Sequence, residues 1–321
     1  MSKRTIFPVA IVLALVLAIF LGLLMRETNG SATILREQKD VLSYSDLVYN
    51  PLFRDESISE SKLSMQENGI DYTNYWVMSS VGITSLLNND MPDWGELKEI
   101  LGCLMGTFDR NGYFPRPEYD EYEYGWVSCM DAPIIALFAE LMHERTGEEV
   151  YREFVDDLAE YMLKDVSEHG YVAEIDGEKW LFEYAHTETD KETGSFVLNG
   201  SLLGTLGTAM IARATENQDL LDLVESQTRL YQQMMPQFWY ENDTWCYYAL
   251  RDNVVNQPHY VIFEIRLLQA LAEVTGVNFY QEEATRRVDL LKNYYKLHIY
   301  VENGEENYIF MRGGGTTLLL H

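Results

Sequence analysis

The chain has 321 residues, 47% of them hydrophobic and 13% aromatic, enough to bury a large core and too apolar for general disorder. Its 51 acidic against 24 basic residues give a net charge of −27, which argues against a nucleic-acid partner, because phosphate binding needs a basic stripe and none is visible. Three cysteines (Cys103, Cys129, Cys246) without a Cys-x-x-Cys pair allow at most one disulfide and support no zinc site; three buried small hydrophobes are the simpler reading.

In chain order, the first informative segment is Ile6 to Leu24, nineteen residues without a charge. A helix of that length crosses a bilayer core at ~1.5 Å per residue. Lys3 and Arg4 precede it and favour a cytoplasmic N-terminus, with everything after Leu24 outside the cytoplasm. A cleaved signal peptide is the competitor, but its apolar core is usually roughly 7–15 residues long and ends at small residues. Here the run ends in Leu-Leu-Met-Arg-Glu. Residues 1–26 are therefore expected to form a single-pass signal-anchor. Residues 27–70 are polar, with runs such as Asp55-Glu56-Ser57, and read as a stalk and irregular lead-in to a domain spanning 71–321.

From there apolar residues recur at helical spacing in pairs of segments. The pattern predicts helices over Tyr75 to Leu87 and Trp94 to Phe108, then Trp126 to Arg145 and Glu149 to Val166. Thr193 to Thr215 pairs with Leu220 to Met235, and His259 to Val274 with Phe279 to Tyr295. Asp176-Gly177-Glu178, between two short apolar runs, predicts a β-hairpin, and the tail reads as another around Asn303-Gly304. Phe238 to Leu250 reads as an extended stretch. Four helical pairs linked by short strands predict a mainly α fold, an α/α toroid, complete or partial, preceded by one transmembrane helix. In such a fold the loops at one end of the inner helices form a cleft. Leu202 to Ala214, rich in Gly, Ala and Thr, suits a closely packed inner helix. The 22 tyrosines, well above 13 phenylalanines and 6 tryptophans, suit half-buried helix faces or a polar, sugar-sized cleft.

Certain stretches carry a resemblance. Trp180-Leu181-Phe182-Glu183-Tyr184 is followed by Ser195-Phe196-Val197-Leu198-Asn199-Gly200, then Tyr248-Ala249-Leu250-Arg251, then His259-Tyr260 with Gln269-Ala270-Leu271 beyond. In order and spacing these stretches resemble the C-terminal domain of the D-glucuronyl C5-epimerase family, over about residues 110 to 295. The resemblance implies an α/α toroid, a membrane-anchored arrangement, and inversion at C5 of hexuronic acid residues, of the D-glucuronate to L-iduronate type, within a polysaccharide. Removing a hydrogen α to a carboxylate and returning a proton to the other face needs two opposed acid/base groups. The resemblance places Glu183 with Tyr184 as one such unit and Tyr248 or Tyr260 as the other. Tyrosine ionises near pH ~10, and cationic neighbours lower that value. Arg251 would neutralise the substrate carboxylate. Trp126, Asn199 and Tyr75 complete the expected substrate-binding set, with Tyr72 or Tyr75 replacing tyrosines of a missing N-terminal region; Asn199 also suits the plainer task of bridging backbone at Gly200. No metal or other cofactor is required by this route. The expected partners are a polysaccharide or oligosaccharide substrate and the membrane, with room for a homodimer.

Two departures from the family pattern point to an altered substrate or lost activity. Met130-Asp131-Ala132-Pro133 stands where amide and small residues are usual, and Glu264, one turn beyond Tyr260, is expected to bring negative charge toward the cleft. The overall acidity disfavours densely sulfated or uniform glucuronate polymers. Two alternatives stay open. One is another α/α-toroid carbohydrate enzyme, a glycoside hydrolase or polysaccharide lyase, with Asp131, Glu183 and Glu264 as candidate carboxylates; hydrolysis sets two of them roughly 5–9.5 Å apart. The other is a non-catalytic, membrane-anchored glycan-binding protein.

Overall fold

The computed structural model describes residues 75–88, 92–119, 122–240, 244–294, 299–302, 305–311 and 317–320. The expected anchor (residues 1–26), the lead-in (27–70) and Tyr72 lie outside the described residues. Among the described residues no helix is long and apolar enough to cross a membrane.

The eight α-helices of the described residues follow one another as four hairpins. They are α1 (Tyr75–Asn88) with α2 (Trp94–Asn111), α3 (Asp131–Thr146) with α4 (Glu149–Tyr161), α5 (Leu198–Thr215) with α6 (Gln218–Met234), and α7 (Pro258–Thr275) with α8 (Asn278–Tyr294). Local chemistry sets their ends. Asp93 caps α2 by accepting from the amides of Gly95 at 2.9 Å and Glu96 at 3.1 Å, satisfying donors that have no partner inside the helix. Gly147 after α3 and Gly276 after α7 take left-handed backbone, φ 71° and 74°, which reverses the chain within two residues. Asn217 opens α6 by accepting from Leu220 N–H at 3.1 Å.

The first helix of each pair is the inner one. α1 packs on α3, α3 on α5 and α5 on α7, while α2, α4, α6 and α8 back them. Among the described residues there is no comparable packing between α7 and α1, so the described part forms an arc of hairpins. α3 and α5 are buried on nearly every side, whereas α4 and α6 bury one stripe. The small residues of α5 have a packing reason. A Cβ at Gly207 would lie 2.6 Å from Pro133 of α3, and one at Gly204 would lie 2.8 Å from the Cys129 carbonyl.

The strands are short: β1 (Val172–Ile175) with β2 (Glu178–Leu181), β3 (Tyr247–Ala249) with β4 (Val254–Val255), and a three-stranded antiparallel tail of β5 (Ile299–Glu302), β6 (Glu305–Met311) and β7 (Thr317–Leu320). The β1–β2 turn is the predicted Asp-Gly type, with Asp176 at φ 52° and Gly177 at φ 87°. All three cysteines are free, Cys129 and Cys246 buried and Cys103 partly so.

Two inner helices begin later than their apolar pattern suggested, α3 at Asp131 rather than Trp126, and α5 at Leu198 rather than Thr193. The residues before each helix stay out of it, because other segments capture backbone groups among them. Val127 exchanges backbone bonds of 2.9 and 3.0 Å with Ala185, Cys129 N–H donates to Phe182 O at 3.0 Å, and Val197 bridges Ala249. These leads carry the site described below.

Glu264 does not face a cleft. It is fully buried in α7, where Arg287 of α8 pairs with it at 3.0 Å and Asn256 Nδ2 donates at 2.7 Å; Arg287 also reaches Glu283 at 2.7 Å. A carboxylate one turn inside an apolar helix can only be buried if a cation meets it. Arg287→Met is expected to strand that charge and destabilise the domain by ~3–5 kcal/mol, read as a lower urea midpoint by circular dichroism. The double variant Glu264→Leu/Arg287→Met is expected to recover most of the loss.

Candidate active site

The backbone pairings bring three separated segments side by side. Arg116 N–H donates to Trp126 O at 2.8 Å, and Trp126 precedes Val127, the partner of Ala185. Trp126 and Tyr184 therefore become neighbours, with ring centroids 5.1 Å apart. Tyr122 lies against the same tyrosine at 5.0 Å. From β3, Tyr248 joins the Glu183–Tyr184 pair, whose charge and hydroxyl both act on it, and Tyr260 of α7 packs on Tyr248 at 5.0 Å. Four of the expected groups, Glu183, Tyr184, Tyr248 and Tyr260, thus meet at the N-terminal end of the inner helices, with Trp126 beside them.

Glu183 is the buried centre of this group, only 6% exposed. Its carboxyl lies against Gly200 in the first turn of α5, where a Cβ would stand 2.1 Å from Oε2. Oε2 has no hydrogen-bond partner. Burial pushes the pKa of Glu183 up to about 7, outweighing the Tyr184 hydroxyl, the Arg116 guanidinium and the Gly200 amide, which favour the charged form. Asn199 sits at the same place, buried, its Oδ1 accepting the Gly200 amide at 2.8 Å.

The tyrosines shift in the direction opposite to that expected of phenols beside cations. The Glu183 charge and then burial hold Tyr184 well above its ordinary value, and Arg116 only partly offsets them. Burial, followed by the Glu183 charge, does the same to Tyr248. Both phenols therefore keep their protons at neutral pH while Glu183 stands at the point of losing its own. Opposed shifts of this kind separate a proton donor from a proton acceptor.

The cation of the site is Arg116. It is 7% exposed, forks onto Asp131 with Nε–Oδ2 2.7 Å and Nη2–Oδ1 2.5 Å, and stacks 5.0 Å over Trp126. Its charge acts on both Glu183 and Tyr184. The sequence carried a usable signal in Phe114-Pro115-Arg116-Pro117, where prolines enforce extended backbone, and in an aspartate at a helix start, whose burial demands a cationic partner. Asp131 serves that pair and also accepts from Trp76 N–H at 3.3 Å. Arg251, expected to bind the substrate carboxylate, instead braces the 193–195 segment: Nη1 donates to Thr193 O at 2.9 Å and the amide to Ser195 O at 3.3 Å, with Asp252 3.9 Å away. Tyr75 is also placed differently. It is fully buried, its hydroxyl donating to Pro115 O at 2.7 Å, so it holds the Arg116 strand and cannot touch a substrate. Among the described residues no group of three or more His, Cys, Asp or Glu side chains is arranged to hold a metal ion.

Fold and site together define an arc of helical hairpins carrying an acid–base centre at one end. Residues 105–289, more than half of the chain, match the family described as D-glucuronyl C5-epimerase C-terminus, and the chain belongs to that family. The matched span contains Arg116, Glu183, Tyr184, Tyr248 and Tyr260, and excludes Tyr75. Among solved structures, the Lin0763 protein of Listeria innocua is similar at 13% identity with a TM-score of 0.41, covering 81% of this chain and 75% of its own. No curated protein matches the chain.

Two outcomes follow from the Glu183–Gly200 contact. Gly200→Ala is expected to drive the carboxyl from its place and lower stability by ~1–3 kcal/mol, measurable by thermal denaturation. For Glu183 the folded state holds a proton up to about pH 7, whereas the unfolded chain releases it near pH ~4.3, so stability falls as pH rises across that window. Glu183→Gln is expected to raise unfolding free energy at pH 8 by on the order of 3 kcal/mol. That gain should fade toward pH ~4.5, and a pH series of urea melts tests it.

Proposed function

We propose that this domain inverts the configuration at C5 of hexuronic acid residues in a polysaccharide, and that the arc of hairpins is part of an α/α toroid. The observation that carries the reading is the buried carboxyl of Glu183, poised at about pH 7, beside two tyrosines that stay protonated. Tyr184 is half-buried and Glu183 lies behind it, so the pair works as one unit. The C5 proton passes to the Tyr184 oxygen as that phenol hands its own proton to ionised Glu183. The electron pair left at C5 is delocalised into the uronate carboxylate. Tyr248 then donates its proton to the opposite face, leaving C5 inverted, Glu183 protonated and Tyr248 ionised. Return of the proton from Glu183 through Tyr184 to Tyr248 restores the starting state, since Tyr184 interacts with both partners. No electron enters or leaves.

The hydrolytic alternative loses support on geometry. It needs two available carboxyls, but Asp131 is held by Arg116 and Glu264 by Arg287. We further read Ile6 to Leu24, uncharged and preceded by Lys3 and Arg4, as an uncleaved anchor holding this domain outside the cytoplasm.

The test is deuterium incorporation at C5, followed by NMR with the full chain in detergent and D2O on heparosan and other uronate polysaccharides. Uptake is expected, with Tyr184→Phe and Tyr248→Phe each lowering it by roughly 100-fold or more, the scale of a lost acid–base group. The rate is expected to fall about tenfold per pH unit below pH 7 and to level above it, because only ionised Glu183 accepts the proton. No uptake on any uronate by a folded protein would reassign the domain to a different glycan chemistry.

A further inference from the structure

Tyr248 sits at an irregular point of its strand. β3 pairs with β4 through Tyr247–Val255 and Ala249–Val254, so the register slips by one residue and Tyr248 has no partner in the ladder. A bulge of this kind re-aims one side chain and frees its backbone from the ladder's restraint. The aim must then come from the flanks. On one side Val197 bridges Ala249, and Arg251 N–H donates to Ser195 O at 3.3 Å. On the other, Asn256 N–H donates to Cys246 O at 3.1 Å, while the Asn256 carbonyl accepts from Trp245 Nε1 at 2.8 Å.

The Asn256 side chain links this flank to the helix of the other tyrosine. It is buried, and its Nδ2 donates at 2.7 Å to Oε1 of Glu264, one turn beyond Tyr260 in α7. The two oxygens of Glu264 are thus divided, Oε2 to Arg287 at 3.0 Å and Oε1 to Asn256. Asn256 Oδ1 has no partner, so the orientation of the amide follows from the carboxylate, which accepts an N–H and repels a carbonyl. The same charge cluster grips the strand once more. Trp239, which bridges Cys246, donates to Glu283 at 3.2 Å and lies 3.9 Å under Arg286. A bond to an ionised acceptor holds its donor more firmly than a neutral one. Well-packed apolar residues in place of such an ion pair usually fold at least as well, but they would offer Asn256 no acceptor.

We infer that Asn256 is a positioning residue, through which the buried Glu264–Arg287 pair holds the bulged Tyr248 against the ring of Tyr260, 5.0 Å away. The inference rests on the proposed function only for the role of Tyr248 as proton donor; the placement of its ring is measured without turnover. NMR of the full chain in detergent, with tyrosine labelled at Cζ, identifies the Tyr248 resonance by its absence from Tyr248→Phe. Asn256→Ala keeps both backbone bonds and the ion pair, whereas Glu264→Leu/Arg287→Met keeps the packing and removes the acceptor. In both variants the Tyr248 resonance is expected to move toward that of a solvated phenol, while that of Tyr231, buried in α6, stays in place. Deuterium uptake at C5 is expected to lose about tenfold in kcat, the scale of a slightly misplaced reacting group, with KM unchanged. Glu264→Gln/Arg287→Met returns an uncharged acceptor and is expected to restore the resonance and most of the rate. An unmoved resonance in either variant once folded, or a moved one with kcat unaltered, would overturn the inference. Failure of both variants to fold would reduce the network to a structural role and overturn it equally. A moved resonance with no C5 exchange even in the unsubstituted chain would leave the positioning standing and sink only the epimerase reading.

Discussion

The site is organised around one contact, the Glu183 carboxyl pressed against the bare Cα of Gly200. It ties the end of the β2 strand region to the first turn of α5, so the segment that carries Tyr184 and the helix that forms the inner wall are fixed relative to each other. Because the contact is buried, the charged form of the carboxyl is disfavoured and its pKa rises. The same burial that positions the group therefore sets its chemistry. A network of hydroxyls and an amide holds the two elements from below. Gln227 of α6 accepts from Leu181 N–H at 3.0 Å and donates to Ser201 Oγ at 3.2 Å, while Tyr231 donates to the same Ser201 at 2.8 Å. Leu181 and Ser201 flank Glu183 and Gly200 in sequence, so the clamp acts on both sides of the contact. Fully satisfied buried networks of this kind favour one arrangement of a core over its near alternatives.

Other buried charges are handled differently. Arg116–Asp131 and Arg287–Glu264 each satisfy a carboxylate with a guanidinium fork or its equivalent, which makes them costly to break and poor at exchanging protons. Glu183 has no such partner at Oε2. Arg116 acts on it at a distance while its own donors are spent on Asp131. Among the described residues four carboxyls are buried, Asp131, Glu140, Glu183 and Glu264, and Glu140 too meets a guanidinium, that of Arg152 at 3.3 Å, which leaves Glu183 as the one without a direct cationic partner. Strained backbone adds to this picture nearby: Phe196, two residues before α5, sits at φ 49°, an uncommon conformation for a bulky residue and one that the neighbouring packing must enforce.

Helical pairing, the Asp-Gly hairpin and the inner position of the Gly- and Ala-rich helix were all legible in the sequence, because periodicity, caps and turn residues act within a few positions of themselves. The ordered motifs around Glu183-Tyr184, Tyr248 and Tyr260 were legible for the same reason, each being a short local string. What the sequence could not decide was pairing across the chain. The segments that begin at Trp126 and Thr193 carry apolar residues at helical spacing, yet they stay outside the helices because Ala185, Phe182 and Ala249 take backbone bonds within them. Tyr75 shares its residue type with binding groups but is sealed beneath Pro115, while Arg251 gives one donor to a loop carbonyl and stays partly exposed. Arg116 and Asp131 are fifteen positions apart, and their union, like that of Glu264 with Arg287, exists only once burial forces each charge to find its opposite.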